Sequence, residues 1–442
     1  MTKIKIRTKK RRRSVELKTF FLFLVGCGLL SLLRLQSNMA HSLSVETTTT
    51  NLLQHRPPGP TCAINLYGLP RAFKALVLPA LIKNVISVNP TCDYYMHFFN
   101  KTAEEGSRSG LGGKLDSAES IMRLLKDAVH TISPTSIVRF GVDTQASYQQ
   151  RLVEMDVQTL TNKMFLRKKQ IQQGESVDMQ SVPEIYWNIL QMWHSQESVW
   201  NLMEQSPRDY DYVAMLRNDV FYANPVNILE YHGASPPRAI IPGFGRYPIS
   251  DRMIFGPYKA VEAWATNRSG RADEVGKYSV GPDKKNDWPP LSASSVIPPD
   301  GKRKMMSDEI YLRRFIFPHI RNRGYVIVEH PSICFFRARA EETLWVSDCF
   351  NEASTSVMSS ILGVPETDIP VNMTKGDILA SVRKLRGLVE GILGRPCGKI
   401  RNPGVSGRFY QLFCNSTMRK KSILRRAWGT IRRQVQRFFG IR

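Results

Sequence analysis

The sequence predicts an α/β domain whose central sheet is mostly parallel, and three observations predict it. Short apolar runs of strand length alternate with longer runs of helical periodicity, the pattern of parallel strands joined by crossover helices. The run Cys62-Ala-Ile-Asn-Leu-Tyr67, the turn Gly68-Leu-Pro-Arg71, a helical stretch to about Ile86 and a second run at Cys92–Phe99 form one such unit, read as lying at the edge of the sheet. A later apolar run, Tyr212–Leu216, ends abruptly in Arg217-Asn-Asp219, as strands do when they deliver polar groups to a crevice at their carboxyl ends.

What precedes this body sets its compartment. Eight basic residues within positions 1–13 form a basic tail (1–18), followed by an apolar run, Thr19–Leu33, that ends at Arg34. Basic flanks stay cytosolic while the apolar stretch enters the bilayer, so the pattern predicts a single anchor over 19–35 and a lumen-facing body. The run is shorter than the roughly 20 residues of a comfortable span, which suits a thin early-secretory or Golgi membrane with Lys18 and Arg34 at its borders. A cleaved signal peptide is the rival, but Ser37-Asn38-Met39-Ala40 is a poor small-residue cleavage site. Residues 36–61, with Thr47–Thr50 and Pro57-Pro-Gly-Pro60, cannot bury a core and read as a stalk.

Sequons at Asn100, Asn267, Asn372 and Asn415 agree with a luminal body. So do the cysteines: Cys62, Cys92, Cys334, Cys349, Cys397 and Cys414 lie beyond the apolar run and only Cys27 lies within it. Six thiols allow 15 pairings. Proximity in the chain favours Cys334 with Cys349 and Cys397 with Cys414, which leaves Cys62 with Cys92.

The formal charge of +24 does not indicate a nucleic-acid partner. Eight positives fall in residues 1–13 and nine in 419–442, so the body is only mildly basic, and no RNA-binding or zinc-finger signature accompanies it.

Along the body, Gly110-Leu-Gly-Gly-Lys114 is not a phosphate loop, because Arg108 stands where its first glycine belongs and Leu115 follows the lysine. A helix is expected over Asp116–Val129 and a strand over Ser136–Phe140. The strongest helical signal is Pro183–Gln205, where Ser181 and Glu184 resemble a capping box. Trp187, Trp193 and Trp200 on this helix read as packing residues. Asp209-Tyr-Asp211 precedes the 212–216 strand and reads as turn and cap chemistry. Ser269–Asp300 is too long for a simple connection and suits a lid. The domain plan expected is thus a luminal catalytic-type body over 62–350, a helical appendage over 351–418 and a basic amphipathic tail over 419–442.

The anchor, the stalk and the apolar strand ending Arg-x-Asp resemble the GT-A class of type II Golgi glycosyltransferases, notably those families whose strand reads apolar-Arg-x-Asp. The resemblance implies a GT-A-like fold that takes a nucleotide-sugar donor and a glycan or glycoprotein acceptor at a Golgi membrane. By it, Asp219 stands for the last acid of an Asp-x-Asp motif that holds Mn2+ or Mg2+ against the donor diphosphate, and is read as a strand-end surface acid. Arg217 replaces the first acid and can itself neutralise phosphate. Gly68 and Arg71 become nucleotide contacts. Asp251, in Ile249–Gly256, and Asp308 and Glu309, at a helix start, become acceptor-side catalytic groups, with an N-terminal cap as the alternative for Asp308. The replacement by Arg217 also keeps open a catalytically inactive glycan-binding or scaffold protein. Another luminal transferase, such as a sulfotransferase, lacks its phosphate loop here.

The topology is testable directly. Glycan removal from detergent-opened microsomes should increase gel mobility while the amino terminus stays intact; an amino terminus beginning beyond Gln36 would overturn the anchor.

Overall fold

The computed structural model describes residues 59–414 with gaps, of which the longest are 151–183, 269–307, 350–357 and 402–410. The expected anchor, nearly all of the stalk, the 269–300 loop, the basic tail and Asn267, Asn372 and Asn415 lie outside the described residues. Among the described residues no helix is long and apolar enough to cross a membrane.

The centre is a seven-stranded sheet built from β1 (Cys62–Gly68), β2 (Asp93–Asn100), β5 (Val138–Thr144), β6 (Tyr212–Arg217), β8 (Arg238–Pro242), β9 (Ile254–Pro257) and β10 (Val326–His330). Its spatial order is β10-β8-β9-β6-β1-β2-β5. All neighbours run parallel except β9, which is antiparallel to both β6 and β8. The mixed, mostly parallel α/β class is therefore as the sequence predicts. The first βαβ unit is internal, however: β5 takes the edge beyond β2, because the chain winds outward from β1 on one side before returning to place β6 on the other.

Burial on both faces explains why these strands read as nearly continuous apolar runs. Along β1, Ile64 and Leu66 enter one core while Ala63 and Tyr67 enter the other. The same alternation divides β2 and β6: Met96 and Leu216 pack on the first face, Tyr95 and Met215 on the second. Over the first face lie α1, a helical stretch of Phe73–Val77, Leu78–Leu81 and Ile82–Ile86 with π turns at both ends, and α2 (Ala118–Ile132). Ser117 caps α2 by accepting the Ser120 amide, which satisfies one orphan donor. Over the second face lie α3 (Glu184–Glu204), α4 (Tyr258–Ala265) and α5, formed by Asp308–Tyr311, Leu312–Ile316 and Phe317–Asn322. Trp193 and Trp200 of α3 are buried in this core, as expected of packing residues. Each fully buried aliphatic side chain contributes roughly 1.5–3 kcal/mol.

A second, antiparallel sheet has the order β13-β14-β12-β11-β7. It consists of β7 (Val220–Tyr222), β11 (Phe335–Arg339), β12 (Thr343–Trp345), β13 (Ile400–Arg401) and β14 (Gln411–Phe413). A small hairpin, β3 (Ala103–Glu104) with β4 (Gly113–Lys114), follows β2. The segment read as a helical appendage holds α6 (Lys375–Leu393) as well as β13 and β14, and its Val382, Leu385 and Val389 join the first core. Asp211 accepts the Thr61 amide and hydroxyl, both at 2.9 Å, which is the strand-start capping role expected of it. Asn100, at the end of β2, is exposed.

The three disulfides are Cys62–Cys92, Cys334–Cys349 and Cys397–Cys414. They tie β1 to the turn before β2, flank the β11–β12 hairpin, and hold the segment after α6 to β14. Non-reducing peptide mapping should recover these three pairs. Replacing Cys62 and Cys92 together by Ser should lower unfolding free energy by about 3–4 kcal/mol, the loop entropy expected for a closure of 30 residues; an unchanged denaturation midpoint would contradict this.

Candidate active site

The strand order reverses between β1 and β6, so their carboxyl ends border the crevice where open α/β sheets receive ligands. Gly68 closes β1 with φ +113°, and a Cβ there would sit 3.2 Å from Asn218 Oδ1, so glycine suits both the backbone and the space. Asn218 locks the two strand ends together: its amide donates to the Tyr67 carbonyl at 3.0 Å and its Nδ2 to the Gly68 carbonyl at 3.2 Å.

Only Asn218 and Asp219 separate the end of β6 from the start of β7, so the chain passes from one sheet to the other at this point. Asp219 is buried, not the surface acid expected. Its Oδ1 accepts from Arg217 Nε at 2.8 Å; its Oδ2 accepts from Arg217 Nη2 at 2.8 Å and Arg71 Nη1 at 2.7 Å. Arg71 also forks onto Glu104, with Nε at 2.7 Å from Oε2. The Asp219 main chain is held as well, its carbonyl accepting the Ala338 amide at 2.8 Å. Burial alone would raise the Asp219 carboxyl, but Arg217, then Arg71 and Arg339, hold it well below the usual carboxylate range.

Strand β11 brings Arg337 and Arg339, two residues apart, to the same face. Both guanidinium groups lie over Trp345 of β12, at 5.0 and 4.8 Å from the ring centroid. Arg339 is 4% exposed, and its Nε has no hydrogen-bond partner among the described residues. Burial, followed by repulsion from Arg337 and Arg71, pushes its pKa down to about 9. Four guanidinium groups therefore lie near one another, with Asp219 and Glu104 hydrogen-bonded to Arg71 and Asp219 also to Arg217. Such a concentration of positive charge is chemically suited to an anion with several oxygens.

A divalent cation does not fit this arrangement. Both Asp219 oxygens already accept from guanidinium groups, and an ion placed against them would face Arg71, Arg217 and Arg339. The metal-ligand role expected for Asp219 therefore gives way to that of an anchor that orients arginines. Arg71 and Arg217 do meet at the crevice, together with Gly68 and Asp219. Arg337, Arg339 and Glu104 are additions; the signal in the sequence was the Arg-Ala-Arg alternation in an apolar strand, which places both charges on one side.

Of the acids expected on the acceptor side, Asp251 and Asp308 lie near one another. Asp251 is half-buried and close enough to act electrostatically on Arg217, Tyr67 and Asp308. Asp308 is buried at the start of α5 and turns inward, accepting from Trp193 Nε1 at 2.5 Å and Arg268 Nη1 at 3.0 Å. Burial raises its carboxyl above the usual range, Arg268 opposes that, and Asp251 adds to it. Glu309, beside it, is half-buried.

No protein-family model matches this chain. None of the curated proteins matches it. Among solved structures it is similar to the apo form of mouse xyloside xylosyltransferase 1, at 8% identity and a TM-score of 0.30, over 61% of this chain and 84% of that one.

The Asp219 ion pairs have a pH signature. The native carboxyl titrates below its unfolded value of about 4, so its stabilising contribution is complete above that value and is lost as pH falls toward the native one. Asp219→Asn should cost about 3–5 kcal/mol at neutral pH, as removal of one partner from a buried pair does. It should also flatten the acid limb of stability measured by denaturant unfolding; parallel acid limbs in variant and wild type would refute the assignment.

Proposed function

We propose that this chain is a GT-A-like glycosyltransferase of the Golgi lumen, anchored in the membrane as a single-pass type II protein, that transfers a sugar from a nucleotide-sugar donor to a glycan or glycoprotein acceptor. The observation that carries this reading is the cluster of Arg71, Arg217, Arg337 and Arg339 at the switch point of a mostly parallel sheet. A donor diphosphate is the polyanion that such a crevice suits.

In this reading the arginines perform the neutralisation otherwise assigned to Mn2+ or Mg2+. The bond between the sugar's anomeric carbon and the diphosphate oxygen breaks, and the leaving oxygen's growing charge is met by preorganised guanidinium donors. An acceptor hydroxyl supplies the new bond and gives up its proton. Asp251 is the group for that proton, because it is half-buried beside Arg217. Asp308, committed to Trp193 and Arg268, positions α5 against α3.

A second reading, a catalytically inactive sugar-nucleotide or glycan-binding protein of the same fold, is favoured by the commitment of Arg71 and Arg217 to Asp219. One experiment separates the two. The full chain in detergent is given a panel of nucleotide sugars, with manganese or with a chelator, and both binding and hydrolysis are followed. Turnover that survives chelation is expected. Arg339→Gln should weaken nucleoside-diphosphate binding roughly 10- to 100-fold, the worth of a charge-assisted hydrogen bond, and Asp251→Asn should reduce turnover with little change in binding. Nucleotide binding without turnover supports the inactive protein; no binding of any nucleoside diphosphate sinks the transferase reading and leaves only a glycan-binding protein.

A further inference from the structure

On the α3 face of the sheet, apart from the arginines, three ligand-type side chains from three elements converge. His97 projects from β2, Asp143 from β5 and His194 from α3. One nitrogen from each imidazole and one carboxylate oxygen all lie within 4.8 Å of one another. Asp143 Oδ2 is 3.3 Å from His97 Nε2 and 2.5 Å from His194 Nε2. His97 and Asp143 are buried, and His194 is half-buried.

The groups behind His97 show how its protons can be arranged. Ser195 Oγ accepts the Gly68 amide at 3.0 Å and lies 3.2 Å from the His97 carbonyl, to which it donates. That leaves the hydroxyl oxygen an acceptor for His97 Nδ1–H at 3.0 Å. With the proton on Nδ1, the Nε2 lone pair points at the Asp143 carboxylate. Two acceptors face each other in this way only with a proton or a cation between them. A hydrolytic Ser-His-Asp reading fails, since Ser195 is fully buried and its oxygen is occupied by the Gly68 amide.

We propose that His97, Asp143 and His194 form a binding site for a divalent transition metal of the zinc class, with two imidazole ligands and one carboxylate. Zinc holds nitrogen and oxygen at about 2.0–2.2 Å, which places tetrahedral ligand atoms roughly 3.3 Å apart. The His97–Asp143 spacing has that value, whereas His194 Nε2 lies 2.5 Å from Asp143 Oδ2, so the half-buried His194 side chain would turn outward to admit the ion. Ser195 is the outer-shell group that orients the His97 ring. Three ligands are one short of zinc's usual four, and Ser198 Oγ lies 3.3 Å from His194 Nε2. Bound metal would clamp β2, β5 and α3 and, through Ser195, steady Gly68 at the crevice. The site stands independently of the glycosyltransferase reading.

The test uses the full chain in detergent, stripped of metal and then titrated with Zn2+ by calorimetry. Metal content after dialysis and the visible spectrum of the Co2+ form are read alongside. One equivalent of zinc, the intense absorption of tetrahedral cobalt and a higher melting temperature with zinc are expected. Asp143→Asn and His194→Gln should each weaken zinc binding by at least about tenfold, while Asp219→Asn keeps the stoichiometry. His194 is the safer variant because it is half-exposed, and circular dichroism confirms that each variant is folded. Folded wild type that retains no zinc and gives no cobalt spectrum would overturn the site. Zinc binding unchanged in both folded variants would overturn it equally, by placing the metal elsewhere.

Discussion

Much of this structure rests on one buried carboxylate. Asp219 sits at the two-residue step between the parallel and antiparallel sheets, and its side chain joins Arg71 beyond β1 to Arg217 at the end of β6. Its carbonyl takes an amide from β11, so a single residue ties three strands together. Burying a carboxylate is costly unless its lone pairs are filled by charged donors, and here both oxygens are. That requirement dictates where the two guanidinium groups point, and it brings β11, with Arg337 and Arg339, against the same spot.

The same arrangement concentrates positive charge. Four arginines lie near one another, and Arg339 lies buried over Trp345, its pKa lowered by burial and then by Arg337 and Arg71. Binding sites often concentrate charge in this way, because an incoming anion both gains donors and relieves repulsion. The site's position follows from topology: with β2 and β5 on one side of β1 and β6, β9, β8 and β10 on the other, the carboxyl ends of β1 and β6 meet at the switch point of the sheet.

Side-chain alternation separates the molecule's two chemistries. Residues of β1, β2 and β6 that point to the α1 face build an apolar core, while the opposite face carries Tyr67, Tyr95 and His97 beneath α3. There Ser195 links the His97 ring to the Gly68 amide, so the histidine and aspartate cluster and the arginine crevice share a backbone contact without sharing ligands.

Local pattern was enough to read β1, β2, β5, β6 and β8, the long helix α3, the cysteine pairs and the position of the Arg-x-Asp strand end, because each depends on periodicity or on neighbours close in the chain. The resemblance, not the pattern, singled out Gly68, Arg71, Arg217 and Asp219. What Asp219 does there was not legible: an acid after a strand reads the same whether it faces a cation or two arginines, and the choice depends on Arg71, which is 148 residues away. Arg337 and Arg339 become site residues only because β7 pairs with β11. His97, Asp143 and His194 form no motif, and β2, β5 and α3 bring them together only when the sheet is assembled. The sequence by itself determined the elements and their chemistry, through backbone preference and hydrophobic period; the tertiary structure alone decided which charges would meet, because ion pairing depends on distance in space and not along the chain.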